Sequence, residues 1–156
     1  MDNVGQKLKA YWHAQNLPIS SGSTEEEIAT FESCYQVRLP ADMREYFYLV
    51  NGLDERYMDN DGFTFWSLSR LSPFLEECSV ETGEGVDNPE SYLVFADCYA
   101  WSWAYAIDTE QSSTGENRVI IIGVTKSPIR VAGSFTEFIE LYLNQSPILS
   151  GEVPPS

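Results

Sequence analysis

Apolar residues recur along this chain with two different periods, and the change from one to the other separates helical ends from a strand-rich middle. Between residues 4 and 15, Leu8, Tyr11 and Trp12 fall on one side of a helix that stops near Asn16, ahead of Pro18. Thr24, followed three residues later by Glu27, forms a capping-box pattern that Ile28, Phe31 and Tyr35 continue as one stripe. Pro40 opens a third helix with Met43, Phe47 and Val50 on its face, and Asn51-Gly52 reads as its left-handed stop. Ser134 with Glu137 caps a last helix carrying Phe135, Phe138, Ile139 and Tyr142.

The period shortens to two after the turn dipeptide Asp61-Gly62, so residues 63–67 read as a strand. Residues 68–78, interrupted by Pro73, predict a short helical or irregular connection, and 79–91 a polar loop. Further strands are expected at 92–96, 103–108, 118–123 and 129–132. The pattern predicts one α+β domain over residues 1–146, with about five mainly antiparallel strands packed against N-terminal and C-terminal helices. Past Gln145, the prolines at 147, 154 and 155 predict a flexible tail over 147–156.

Tyr99, Trp101, Trp103 and Tyr105 alternate with Ala100, Ser102, Ala104 and Ala106. An extended chain with this pattern has one bulky face and one small face, which suits a core strand better than a sugar-stacking platform beside Asp97. A turn within 98–102 would instead split the run into two strands and move some of the aromatics to a rim.

Composition narrows the function. Hydrophobic residues make up 43% of the 156, enough for a core. No apolar run approaches the ~20 residues a membrane helix needs, and Met1-Asp2-Asn3-Val4-Gly5 lacks the basic and apolar regions of a secretion signal, so a cytoplasmic location is expected. Cys34, Cys78 and Cys98 cannot all pair within the chain and none lies in a C-x-x-C spacing. The net charge of −15 repels phosphate backbones and would attract a basic partner.

Signs of chemistry are sparse. His13 is the single histidine and no G-x-S-x-G elbow surrounds a serine. Gly123-Val124-Thr125-Lys126-Ser127 lacks the upstream glycine of a phosphate loop. If Gly62 were the sixth position of a calcium loop, Tyr57 and Leu68 would fill the first and twelfth, where carboxylates are required. No catalytic residue, cofactor or metal ligand is therefore nominated.

Phe31-Glu32, then 39–47 beginning Leu39-Pro40, then Asn51-Gly52, resemble the signature of the SUKH superfamily, the SMI/KNR-type proteins named after a fungal regulator of cell-wall assembly. Ala96-Asp97 followed by Ser102-Trp103-Ala104-Tyr105-Ala106-Ile107 is similar to that family's central strand region, and the helix with Phe138-Ile139 to its closing helix. The likeness covers about residues 24–144. It implies a non-catalytic immunity protein that binds and neutralises a cognate polymorphic toxin, often a nuclease. A regulatory or scaffolding adaptor is the alternative, and a carbohydrate-active or carbohydrate-binding protein the outsider.

The residues themselves agree in charge. Eleven of the 24 acidic residues but only two of the nine basic ones fall between Asp54 and Asp97. Asp54, Glu55, Asp59, Asp61, Glu76, Glu77, Glu81 and Glu84 are the candidate contacts for a basic toxin, with Leu39, Pro40, Asn51, Gly52, Ala96, Asp97 and Trp103 as structural signature residues. A monomer or weak homodimer without bound nucleic acid or membrane is expected.

Overall fold

The computed structural model describes residues 4–54, 56–78, 86, 88–124 and 128–150. Helix α1 spans Val4–Ala14, a short strand β1 Ile19–Ser21, α2 Glu25–Tyr35 and α3 Ala41–Leu49. Strand β2 follows at Val50–Leu53, then β3 at Phe63–Phe65, β4 at Ser72–Pro73 and the one-turn helix α4 at Phe74–Glu77. Strands β5 (Tyr92–Cys98), β6 (Trp103–Asp108), β7 (Val119–Ile122) and β8 (Ile129–Ala132) lead into α5 (Phe135–Leu143).

The main sheet is antiparallel in the order β3-β5-β6-β7-β8, and β4 pairs with the other half of the edge that β3 occupies on β5. Short connections between neighbouring strands favour this up-and-down arrangement. Helices lay aromatic side chains on it: Phe138 meets Phe65, Phe95 and Tyr105, and Trp12 meets Phe65, with ring centroids 5.0–6.1 Å apart. Phe95 and Tyr105 thus face α5, while Ala104 and Ala106 point to the opposite side of β6, where both are fully buried. The α+β class and the antiparallel sheet agree with the hydrophobic pattern.

The helix starts follow the sequence closely. Thr24 and Glu27 form the reciprocal capping box at α2, with bonds of 3.0 and 3.1 Å, and Ser134 caps α5 through Glu137 N–H at 3.0 Å. At α3, Pro40 has no side-chain donor or acceptor to offer, and Glu32 instead braces the chain just before the helix. Its Oε2 accepts the Leu39 N–H at 2.8 Å and the Arg44 guanidinium at 2.7 Å. Asp42 ties α3 to α5 by accepting both the Thr136 N–H and hydroxyl at 2.8 Å.

Four expectations are corrected. Asn51-Gly52 does not stop α3: Val50 leaves the helix in extended conformation and the dipeptide lies inside β2, which pairs with β1 in a separate two-stranded sheet. Gly52, at φ 67°, runs so close to Trp66 that a Cβ would lie 2.5 Å from its carbonyl oxygen, and the Asn51 side chain accepts the Leu68 N–H at 2.7 Å. The strand expected over 63–67 ends at Phe65: the Trp66 N–H still reaches the Phe95 carbonyl (2.8 Å), but the Ser67 carbonyl already accepts the Arg70 N–H of a turn at 2.9 Å. Residues 98–102 turn instead of continuing the alternation. At the C-terminal side, residues 147–150 form a 3-10 turn that buries Leu149, so the chain stays docked beyond the point where fraying was expected.

Candidate functional site

A cleft forms where β3 leaves its preceding loop and β5 turns into β6. Residues 57–62 fold back on β3: the Tyr57 carbonyl accepts the Thr64 hydroxyl at 2.9 Å, and Asp59 N–H bonds to the Phe63 carbonyl at 2.8 Å. Opposite them, Tyr99, Ala100 and Trp101 stand consecutively in the left-handed region, at φ 48°, 54° and 65°. Each costs roughly 1–2 kcal/mol because a Cβ crowds the carbonyl there. The turn is held by Tyr99 N–H to the Gly62 carbonyl and Ser102 N–H to the Cys98 carbonyl, both 2.9 Å. Gly62 lacks the Cβ that would lie 2.4 Å from the Tyr99 ring, so that ring rests directly on the backbone of the loop.

The cleft encloses about 260 Å³, walled by the rings of Phe63, Tyr99, Trp103 and Tyr142 and closed by Pro147 and Leu149. Tyr99 is 53% exposed and meets Trp103 edge to face at 5.3 Å. The polar tips of the inner rings are engaged away from the opening. Trp103 Nε1–H donates to the Tyr105 hydroxyl at 3.0 Å, which donates to the Leu149 carbonyl, and Trp12 Nε1–H donates to the Tyr142 hydroxyl at 2.9 Å, which donates to Asp59. Asp61 supplies a carboxylate at the rim and accepts one long hydrogen bond, from Gln145 Nε2 at 3.3 Å.

The nominated acidic residues divide sharply. Asp59 is buried, and its carboxylate accepts Asp61 N–H at 2.8 Å, Phe63 N–H at 2.9 Å and the Tyr142 hydroxyl, so it holds the loop and is not a surface contact. Burial pushes its carboxyl above the usual range, against the lowering by those three donors. Glu77 is also committed: it binds Arg70 and the Trp101 indole N–H, each at 3.2 Å. Arg70 in turn lies over the Trp66 ring at 3.7 Å, and Trp66 Nε1–H donates to Asp97 at 2.7 Å.

Asp54 is half-exposed but forked by Arg56 at 2.8 and 3.0 Å, and those hydrogen bonds hold its carboxyl down at about 2. Asp61 and Glu76 are exposed. Glu55, Glu81 and Glu84 lie outside the described residues. Burial raises the Cys78 thiol to about 11 and the Cys98 thiol to about 12, so both are protonated near neutral pH. Among the described residues, no group of three or more His, Cys, Asp and Glu side chains is placed to hold a metal ion, and no helix is long and apolar enough to cross a membrane.

A model of the SMI1 / KNR4 family (SUKH-1) matches residues 22–141. The chain belongs to that family. No individual curated protein matches it. The match leaves out α1 and everything after residue 141, so Trp12, Tyr142 and the 145–149 wall of the cleft lie outside the matched residues.

The residues that carried the resemblance in the sequence take part in the fold. Leu39 and Ala96 are buried, Asp97 anchors Trp66, and Asn51 and Gly52 let β2 pass close to residues 66–68. Trp103 is half-buried and shared between core and cleft. Sequence reasoning missed Phe63, Tyr142 and Gln145 as cleft residues and read Tyr99 as core. The available signal was the possible turn at 98–102, but three consecutive left-handed residues without a glycine offered no local mark of it.

Proposed function

We propose that this protein is a non-catalytic, cytoplasmic immunity-type protein, a monomer or weak homodimer, that binds and neutralises a cationic toxin. The observation that carries the reading is the acidic concentration between Asp54 and Asp97 in a chain of net charge −15. Exposed Asp61 and Glu76 lie within this stretch. Nuclease domains are commonly basic where they meet phosphate, and such a surface complements this acidic field while the field itself repels nucleic acid. Membership of SUKH-1 supports a protein partner, and the raised thiols of half-buried Cys78 and buried Cys98 make neither of these two a ready nucleophile.

Association kinetics with the toxin encoded beside this gene test the reading. Attraction over a Debye length of ~8 Å at 0.15 M salt weakens as ionic strength rises, so association slows markedly while dissociation changes little. Replacing Glu76, Glu81 and Glu84 together by Gln slows association severalfold at low salt and leaves the fold intact, with Glu77 spared because it holds Arg70 and Trp101. Salt-independent association, unchanged by the triple substitution, counts against electrostatic capture. Failure to bind the neighbouring gene product at all counts against the immunity reading.

A further inference from the structure

The cleft between Tyr99, Trp103 and Asp61 has features that the acidic surface alone does not explain. Its entrance is built on a strained turn: three successive left-handed residues bearing side chains hold Tyr99 half in solvent, where it gains little by burial. Strain of this kind persists only where surrounding contacts enforce it, here the Gly62 carbonyl and the bare Gly62 Cα beneath the ring. The inner rings have their hydroxyl and indole donors turned inward to Asp59, Tyr105 and the Leu149 carbonyl. The cleft thus presents aromatic surface, the neutral polar residues Gln145 and Ser146, and Asp61 as its one carboxylate, and the buried Asp59 lies directly behind Tyr142.

We propose that this cleft is a socket for a single arginine side chain of the protein partner. The inference rests on the reading above that the partner is cationic. A guanidinium is planar, stacks on aromatic faces and donates in a fork to a carboxylate, the combination that Tyr99, Trp103 and Asp61 offer. The long bond from Gln145 leaves most of the Asp61 acceptor capacity open to such a fork. At about 260 Å³ the space is below that of pockets for drug-sized ligands and suits one side chain rather than a folded segment. An acidic side chain would enter against the field of a −15 protein, and a neutral one would leave Asp61 without a charged partner. Half the socket, from Tyr142 to Leu149, lies outside the residues 22–141 that the family model matches.

The test uses the whole protein labelled with nitrogen-15 and two blocked tripeptides, Gly-Arg-Gly and Gly-citrulline-Gly, the second isosteric but uncharged. The arginine peptide is expected to bind with a Kd of about millimolar, shifting the Trp103 indole signal and the amides of Asp61, Tyr99 and Gln145, and the citrulline peptide about fivefold or more weakly. Asp61→Asn is expected to weaken the arginine peptide about fivefold, and Tyr99→Ala to remove the Trp103 shift, with signals elsewhere unchanged. Equal shifts with both peptides, shifts confined to other surfaces, or no saturation up to about 50 mM would overturn the socket.

Toxin kinetics separate this inference from the one it rests on. Tyr99→Ala is expected to speed dissociation of the toxin about tenfold while leaving the salt dependence of association intact. If association is salt-dependent but neither Tyr99→Ala nor the peptides have an effect, the socket is wrong and electrostatic capture stands. If the arginine peptide seats as described but no basic protein binds, the socket stands and the immunity reading falls.

Discussion

Two groups of carboxylates hold this molecule together in different ways. Asp59 sits under α5, 4% exposed, with two backbone N–H groups and a tyrosine hydroxyl as its partners. Glu77 and Asp97 sit in a partly exposed chain that runs Asp97, buried Trp66, Arg70, Glu77, Trp101, where charge meets charge and an aromatic face separates them. Nothing in residue type distinguishes the two groups, and both lie in the acidic stretch that suggests a partner. Burial does distinguish them: a carboxylate cut off from water leaves its donors orphaned when removed, whereas one at the surface leaves them to water.

The comparison breaks most easily at Asp59. Asp59→Ala is expected to cost about 3 kcal/mol in denaturant unfolding, since it strands the Tyr142 hydroxyl and frees the 59–63 loop that floors the cleft. Glu77→Ala, with Arg70 36% exposed beside it, is expected to cost about 1 kcal/mol, because water replaces much of what the pair supplies. A double-mutant cycle of Glu77→Ala with Arg70→Met sharpens this by isolating the ion pair. If Asp59→Ala proves no more costly than Glu77→Ala, burial is not what separates the two groups.

The contrast also explains how far the sequence could be read. Helix starts were legible because capping is local: Thr24 with Glu27 and Ser134 with Glu137 carry their partners within one turn. The fate of Asn51-Gly52 was not, since the reason for Gly52 is the backbone of Trp66, brought there by the fold and not by neighbours in the chain. Asp59 and Asp61 looked alike for the same reason, the deciding contact being with Tyr142 on α5. The turn at 99–101 went against local preference altogether, and its enforcing contacts come from Gly62 in another loop. Of the cleft, only Trp103, Asp61 and the suspicion of an aromatic rim could be read in advance. The walls were assembled by tertiary contacts over long sequence separations.

The smallest expected effect is a pH dependence that carries the sign of Asp59's environment. Desolvation raises its carboxyl above the ordinary value, so the folded state holds a proton that the unfolded chain has already lost. Between the unfolded and the folded pKa the native state binds more protons than the unfolded one, and stability therefore falls as pH rises through that window. Asp54 works in the opposite direction: its carboxyl is held at about 2 by Arg56, so its contribution is lost as pH falls toward that value, well below the Asp59 window. Comparing the protein with Asp59→Asn by denaturant unfolding from pH 4 upward cancels Asp54 and every other shared group. The stability advantage of Asp59 over Asn should be largest at the acidic end, shrink as the carboxyl ionises without water, and level off once ionisation is complete. A gap that widens with pH would mean that the Tyr142 hydroxyl and the two loop N–H groups outweigh desolvation. Asp59 would then be a stabilised anion rather than a strained one.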